Sequence, residues 1–233
     1  MKKVVLLTGA GVSAESGIAT FRDSNGLWEN HRVEDVASPE GFERDPELVL
    51  EFYNQRRAQL HTVKPNVGHK LIAALEDDYD VTVVTQNIDD LHERAGSTNI
   101  IHLHGELLKA RPANADDPAS VVDWPGDIKL GDTDGKGNQM RPHIVWFGEL
   151  VPEIENAVRV VSRADLIIIV GTSMQVYPAA GLVGYAGDSV PVIYIDPKPS
   201  ISYELKRRGN IHTIELGGSE GMEVARELVK SLV

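Results

Sequence analysis

The sequence predicts an α/β fold: a mostly parallel sheet with helices on both faces, and a smaller domain made from two insertions. Three observations carry this. Short β-branched apolar runs recur along the chain, helical patterns lie between them, and two long stretches break the alternation.

In chain order, Val4-Val5-Leu6-Leu7 is the first buried strand, closed by Thr8 and Gly9. Asp45-Pro46 has the form of a helix cap followed by proline at the first helical position, and Leu48, Val49, Phe52 and Leu60 then recur near the helical period. A second helix is expected over 66–76, before the strand Val81-Thr82-Val83-Val84. Pro152 opens a helix that ends before Ala164, and Leu166-Ile167-Ile168-Ile169-Val170 follows as a strand. A helix over 179–186, the strand Val192-Ile193-Tyr194-Ile195 and a helix over 219–232 complete the pattern. Residues 29–78 read as helical without a strand, and residues 111–141 are polar and rich in Gly, Pro and Asp, too long for an ordinary connection. The expected division assigns 1–28, 79–110 and 142–233 to the sheet domain, and 29–78 with 111–141 to the smaller one.

Composition narrows the function classes. The 233 residues are 42% hydrophobic and 25% charged, with a formal net charge of −12. Such a surface repels phosphate backbones and anionic lipid, so neither nucleic acid nor membrane is expected as a partner. There is no cysteine, which excludes disulfides, thiol nucleophiles and thiolate zinc sites. No apolar run is long enough to span a bilayer. With a strand starting by Val4, no leader peptide is expected, and the expected location is cytoplasmic.

Gly9-Ala10-Gly11-Val12-Ser13-Ala14, directly after the first strand, has the Gly-x-Gly-x-x-Gly/Ala form of a dinucleotide-binding turn. There the first glycine makes the turn, the second admits a pyrophosphate, and a small third residue lets the following helix pack on the strand. The usual acid about 20 residues on is absent. An acid does close a later strand, Asp196. A carboxylate there accepts from ribose hydroxyls and disfavours a 2′-phosphate, so NAD is favoured over NADP, although a turn residue before Pro197 would look the same.

Gln86-Asn87-Ile88-Asp89-Asp90 follows a predicted strand, where ligands bind in parallel sheets. Ile101-His102-Leu103-His104 puts two histidines on one face of a strand. They read either as a metal pair or as one catalytic base beside one structural histidine. Tyr53 and Arg56 lie three apart on a helix and emerge on one face, suited to grip a carboxylate, although a solvated helix face gives the same spacing. Asp132-Thr133-Asp134-Gly135-Lys136-Gly137 resembles a calcium loop, but Lys136 and His143 stand where the ligand pattern needs oxygen donors, so it reads as a polar turn.

Together these residues resemble the sirtuins, NAD-dependent protein-lysine deacylases. The resemblance covers nearly the whole chain. It rests on 9–18 (Gly9 to Ile18), Thr20-Phe21-Arg22, Gln86-Asn87-Ile88-Asp89, His104-Gly105, Phe147-Gly148-Glu149 and Gly171-Thr172-Ser173, in the family's order. Gly26-Leu27-Trp28 and the Tyr53/Arg56 pair are similar to the class III branch, in which such a pair recognises malonyl- and succinyl-lysine.

The resemblance implies a Rossmann-like large domain with a smaller domain formed by two insertions. It implies NAD contacts from Gly9, Ala10, Gly11, Ala14, Glu15, Thr20, Phe21, Arg22, Trp28, Gln86, Asn87, Ile88, Asp89, Gly171, Thr172, Ser173, Asp196 and Ser219. His104 and Asn87 are the implied catalytic residues. Tyr53, Arg56 and the segment Val145, Trp146, Phe147, Gly148 and Glu149 are the implied substrate contacts, the segment pairing with an acylated-lysine peptide as an added strand. The implied reaction is attack of the lysine acyl oxygen on C1′ of the nicotinamide ribose as nicotinamide leaves. His104 then takes a proton from a ribose hydroxyl, and the products are free lysine, nicotinamide and O-acyl-ADP-ribose. ADP-ribosyl transfer or NAD hydrolysis on the same site is the alternative. Most sirtuins hold a structural zinc with four cysteines. Here 111–141 has neither Cys nor His, so no zinc is expected, and packing by Val121, Val122 and Trp124 or Pro-rich turns must hold the loop.

Overall fold

The first strand, β1 (Lys3–Thr8), sends Val4 and Leu6 into one buried cluster and Val5 and Leu7 into another, as the twofold strand period requires. The computed structural model describes residues 1–20, 27–28, 30–115 and 117–233. The stretch read as strand-free carries one short strand, β3 (His31–Arg32), paired antiparallel with β2 (Leu27–Trp28) just before it. Helices α1 (Val33–Val36), α2 (Pro39–Arg44) and α3 (Pro46–Thr62) follow. Ser38 and Asp45 each accept a backbone N–H in the first turn of the next helix, with proline at its first position.

Helix α4 (Val67–Ala74) leads into β4 (Asp80–Thr85), α5 (Leu91–Ala95) and β5 (Ile100–His102). Then come β6 (Gly105–Pro112), β7 (Val122–Asp123) and β8 (Met140–Ile144), and α6 (Ile154–Val161) with β9 (Leu166–Val170). The helix expected over 179–186 is a 3-10 helix, Ala179–Tyr185. The chain ends with β10 (Val192–Ile195), α7 (Tyr203–Lys206), β11 (Ile211–Ile214) and α8 (Gly218–Leu232).

Six strands form one parallel sheet in the order β11-β10-β9-β1-β4-β5. One face packs on α6 and the Ala179–Tyr185 helix, the other on α4 and α8. A separate antiparallel sheet, β7-β6-β8, lies beside α3, with Leu107, Ile144 and Trp146 packed on Phe52 and Tyr53. The expected boundaries at 110/111 and 141/142 fall inside β6 and β8.

Ile128 plugs the loop from 113 to 139. Ile128 is 0% exposed and packs with Leu50, Ala110 and Met140. The Asn54 side chain clasps its backbone, donating to Ile128 O and accepting from Ile128 N, both at 2.9 Å. Arg57, also buried, donates to the same Asn54 oxygen at 3.0 Å. Farther along, Asp134 closes a turn on the backbone N–H groups of Lys136 and Asn138. Of the side chains expected to hold this loop, Trp124 packs against the Ile128 cluster, but Val122 is exposed; packing falls to Ile128, which stands at a Pro-Gly turn and carries no sequence period. With no Cys or His in 111–141, the loop does not fit a zinc ion.

Candidate active site at the reversal of strand order

Strand order reverses at β1, with β4 and β5 on one side and β9 to β11 on the other, and such a reversal opens a crevice at the carboxyl ends of the strands. Gly9 and Gly11 stand there, donating to Val170 O at 3.1 Å and Gly171 O at 2.8 Å. A Cβ on Gly11 would lie 2.6 Å from Gly171 Cα, and Gly171 itself has φ +62. Contact between the two loops is therefore enough to demand both glycines. The expected helix after them is instead two 3-10 turns, Ala10–Val12 and Ala14–Ser16. Ala14 is exposed rather than packed on the strand, and Val12 and Ser13 take the buried places.

Ser13 is a hub that the motif reading passed over. Its hydroxyl donates to Asp89 Oδ2 at 2.9 Å and accepts from Asn87 Nδ2 at 3.1 Å, with His69 Nε2 at 3.4 Å. The His69 ring lies 4.9 Å from His92, whose Nε2 meets Thr8 Oγ1 at 3.1 Å. Burial pushes these imidazoles down to about 4 and about 3, so both are neutral at pH 7. Burial likewise raises the Asp89 carboxyl, opposed by the Leu91 N–H and Ser13. No local sequence pattern marks these histidines: the Asn66 cap takes the backbone N–H of His69, not its ring.

The two histidines expected on one strand face are not on one strand. β5 stops at His102, residues 103–104 turn, and Gly105 has φ +80 against His143 O, so the alternation breaks. The metal-pair alternative fails with it, because the rings meet different partners. His104 Nδ1 donates to Gln86 O at 3.0 Å, leaving Nε2 with a lone pair. Burial lowers its pKa, and the Gln86 hydrogen bond opposes this only in part, so it is neutral at pH 7. His102 Nδ1 donates to Asn87 O at 3.3 Å and Nε2 to Glu93 Oε1 at 2.6 Å. Burial works against its charge, but the Glu93 bond and the Glu93 and Glu106 carboxylates outweigh burial and raise its pKa. Among the described residues, Glu93, His102 and Glu106 form one group of potential metal ligands, with atoms within 4.8 Å of one another. Its carboxylates already face His102 and Lys109, the latter at 2.9 Å from Glu106.

The remaining expected contacts divide. Gln86 Nε2 donates to Thr172 Oγ1 at 3.0 Å, and Ile88 O accepts from Leu107 N at 2.8 Å, which fixes the 86–89 segment between β9 and β6. Asp196 is buried and accepts from Lys198 N at 2.8 Å. Ser173 and Thr20 are half-buried, and Ala10 sits in the first 3-10 turn. The Glu15 carboxylate accepts from Ser219 N at 3.0 Å, tying the glycine loop to α8. Phe21 and Arg22 lie outside the described residues. Trp28 does not join this group; its ring packs edge-on against Phe52 and Tyr53 at 5.0 and 6.0 Å.

Trp28 instead shares a wall with the Tyr53/Arg56 pair. The Arg56 guanidinium lies 3.3 Å over the Phe52 ring and 5.8 Å from the Trp28 ring. Tyr53 is 0% exposed, and its hydroxyl oxygen accepts from Trp146 Nε1 at 3.0 Å. In the segment expected to add a substrate strand, Phe147 and Gly148 form a turn. The amides of Val145, Trp146, Phe147 and Glu149 all donate within the chain. Glu149 does not point out toward a peptide: its carboxylate holds Arg141, Arg111 and Trp146 N, at 2.7, 3.2 and 2.8 Å.

A parallel sheet with a glycine loop at its reversal, buried amide and acid groups beside it and an inserted module above defines an α/β dinucleotide-site protein. The chain belongs to the Sir2 family, whose model matches residues 9–178. It is 54% identical over 233 residues to an NAD-dependent protein deacylase of Bacteroides thetaiotaomicron, covering 98% of each chain. It is 56% identical over 198 residues to one from Helicobacter pylori, covering 85% of this chain and 86% of that one. A crystal structure of a Sir2 homolog–NAD complex superposes with a TM-score of 0.86 at 39% identity, covering 100% of this chain and 91% of that one.

Proposed function

We propose that this chain is an NAD-dependent protein-lysine deacylase whose acyl pocket favours groups ending in a carboxylate, succinyl and malonyl above acetyl. Family membership and the deacylase relatives support the reaction class. The single observation behind the acyl preference is the Tyr53/Arg56 pair, a buried hydroxyl and a guanidinium one helical turn apart among aromatic rings. Partial desolvation strengthens a charge-assisted bond to an acyl carboxylate.

The residues present fit NAD. In this reading the loops at Gly9–Gly11 and Gly171–Ser173 hold its phosphates, and the buried Asp196 carboxylate serves a ribose and disfavours a 2′-phosphate. Gln86, Asn87, Ile88 and Asp89 line the nicotinamide side, with Asn87 and Asp89 aimed by Ser13. Bound NAD supplies an electrophilic ribose carbon for the lysine acyl oxygen. His104 takes up a ribose hydroxyl proton at Nε2, because Nδ1–H is committed to Gln86 O. The aromatic wall around Trp28, Phe52 and Tyr53 keeps water from that carbon. Residues 29–78 with 111–141 act as one smaller domain beside the Rossmann-like one, at work on acylated-lysine proteins or peptides in the cytoplasm.

The test is incubation with NAD and matched acetyl-, malonyl- and succinyl-lysine peptides, read by mass. Free lysine peptide with O-acyl-ADP-ribose is expected, fastest from the succinyl or malonyl peptide. Acetyl peptide turning over faster than both overturns the acyl preference. Free ADP-ribose with every peptide still acylated overturns the deacylase reading.

A further inference from the structure

Tyr53 presents an unbalanced hydrogen-bond account. Its hydroxyl is buried, and the one partner it has among the described residues is Trp146 Nε1 at 3.0 Å. An indole N–H can only donate, so the Tyr53 oxygen is the acceptor and the phenolic proton has no acceptor there. A buried donor without an acceptor is costly, and native chains rarely leave one. The charges that Tyr53 feels do not supply an acceptor. Arg56 and Arg141 are cations, and the Glu149 carboxylate is held by Arg141, Arg111 and Trp146 N. Burial keeps the phenol protonated well above neutral pH.

Trp146 is itself locked. The Arg141 guanidinium lies 3.3 Å over its ring, Phe42 packs at 5.3 Å, and Glu149 accepts its backbone N–H at 2.8 Å. Its indole N–H therefore arrives at the Tyr53 oxygen from a fixed direction.

We propose that Trp146 is a positioning residue for acyl choice: by donating to the Tyr53 oxygen, it commits the phenolic proton to the incoming acyl carboxylate beside Arg56. The two donors then meet the ligand already oriented. An acetyl group has no terminal carboxylate and cannot use them. This rests on the acidic-acyl reading above, and goes beyond it by naming the residue that sets the polarity of Tyr53.

The test is the ratio of KM for succinyl-lysine peptide to KM for acetyl-lysine peptide. Trp146→Phe keeps a ring and removes the N–H, and is expected to raise that ratio about tenfold. Tyr53→Phe is expected to raise it at least as much. In a Tyr53→Phe background, adding Trp146→Phe is expected to change the ratio no further, because the target of the indole is gone. The double variant replaces both partners with apolar rings, so its melting temperature stays near that of the parent. An unchanged ratio in Trp146→Phe, or an additive double variant, overturns the inference. In the unaltered enzyme, the Trp146 indole proton is expected to be protected from solvent exchange by NMR; free exchange overturns the inference even where Trp146→Phe does not fold. Arg56→Met separates the two levels: a ratio unmoved by Arg56→Met removes the acidic-acyl reading itself, whereas a ratio moved by Arg56→Met and not by Trp146→Phe removes only the role of Trp146.

Discussion

Two groups of residues carry the proposed reading, a sheet wall and an insert wall, and they are built on opposite terms. The sheet wall is a chain of buried polar groups: Ser13 joins Asn87 to Asp89, and His104 hangs on Gln86 O at the ends of β1 and β4. The insert wall is a cluster of rings, Trp28, Phe52, Tyr53 and Trp146, with two arginines laid on them. Polar groups in the first wall hold each other at fixed hydrogen-bond geometry, which chemistry needs. Rings in the second shape a pocket and aim a few donors, which selection needs. Substitutions on the sheet wall should therefore strike every acyl group alike, and substitutions on the insert wall should strike by acyl type.

The largest expected effect is on the sheet wall. His104→Ala should lower deacylation of acetyl and succinyl peptides alike by about 10²–10⁴-fold, the usual span for a general base, with NAD binding retained in a calorimetric titration. The same residue sets the acid limb of kcat/KM. Its folded pKa is lowered, so the base stays neutral as pH falls to the ordinary histidine value, about 6.5, and activity is lost only below it. An acid limb above pH 7 would count against His104 as the base.

On the insert wall, Arg56→Met should lower desuccinylation relative to deacetylation. One charge-assisted bond at about 1.5–3 kcal/mol corresponds to roughly tenfold to over a hundredfold. Equal loss of both activities would erase the contrast between the walls.

The Ile128 plug lies behind the insert wall and tests whether that wall depends on the loop. Ile128→Ala should cost about 2–5 kcal/mol of stability in denaturant unfolding. A chelator should leave the melting temperature unchanged, and a tightly bound zinc found by metal analysis would contradict the packing account of this loop.

The smallest effect concerns the histidine on the far side of the turn. His102 has a raised folded pKa, so its pairing with Glu93 stabilises fully below about pH 6.5, the ordinary value, and fades as pH rises through the raised one. The melting-temperature gap between the parent and Glu93→Gln should narrow from pH 6 to pH 9.

The contrast also explains what the sequence could convey. Strand runs such as Leu166–Val170 and the capped start of α3 are local patterns, and they were legible. The Tyr53/Arg56 pair was legible as a helical spacing. His102 and His104 were misplaced because β5 ends at His102 and the chain turns at 103–104 into Gly105 with its positive φ, and a period cannot register that. Ile128 and Trp146 were missed as a plug and a director because their partners lie 74 and 93 residues away, on a helix whose own pattern gives no hint of them.

A loop held by packing instead of thiolates has a consequence for chemical wear. Peroxide and alkylating agents disarm thiolate-held zinc by attacking sulfur, and this chain offers them no thiol. Of its four methionines, Met140, Met174 and Met222 are buried, and only Met1 is exposed. The fold should thus keep its shape through oxidant exposure that would unmake a zinc-clasped relative.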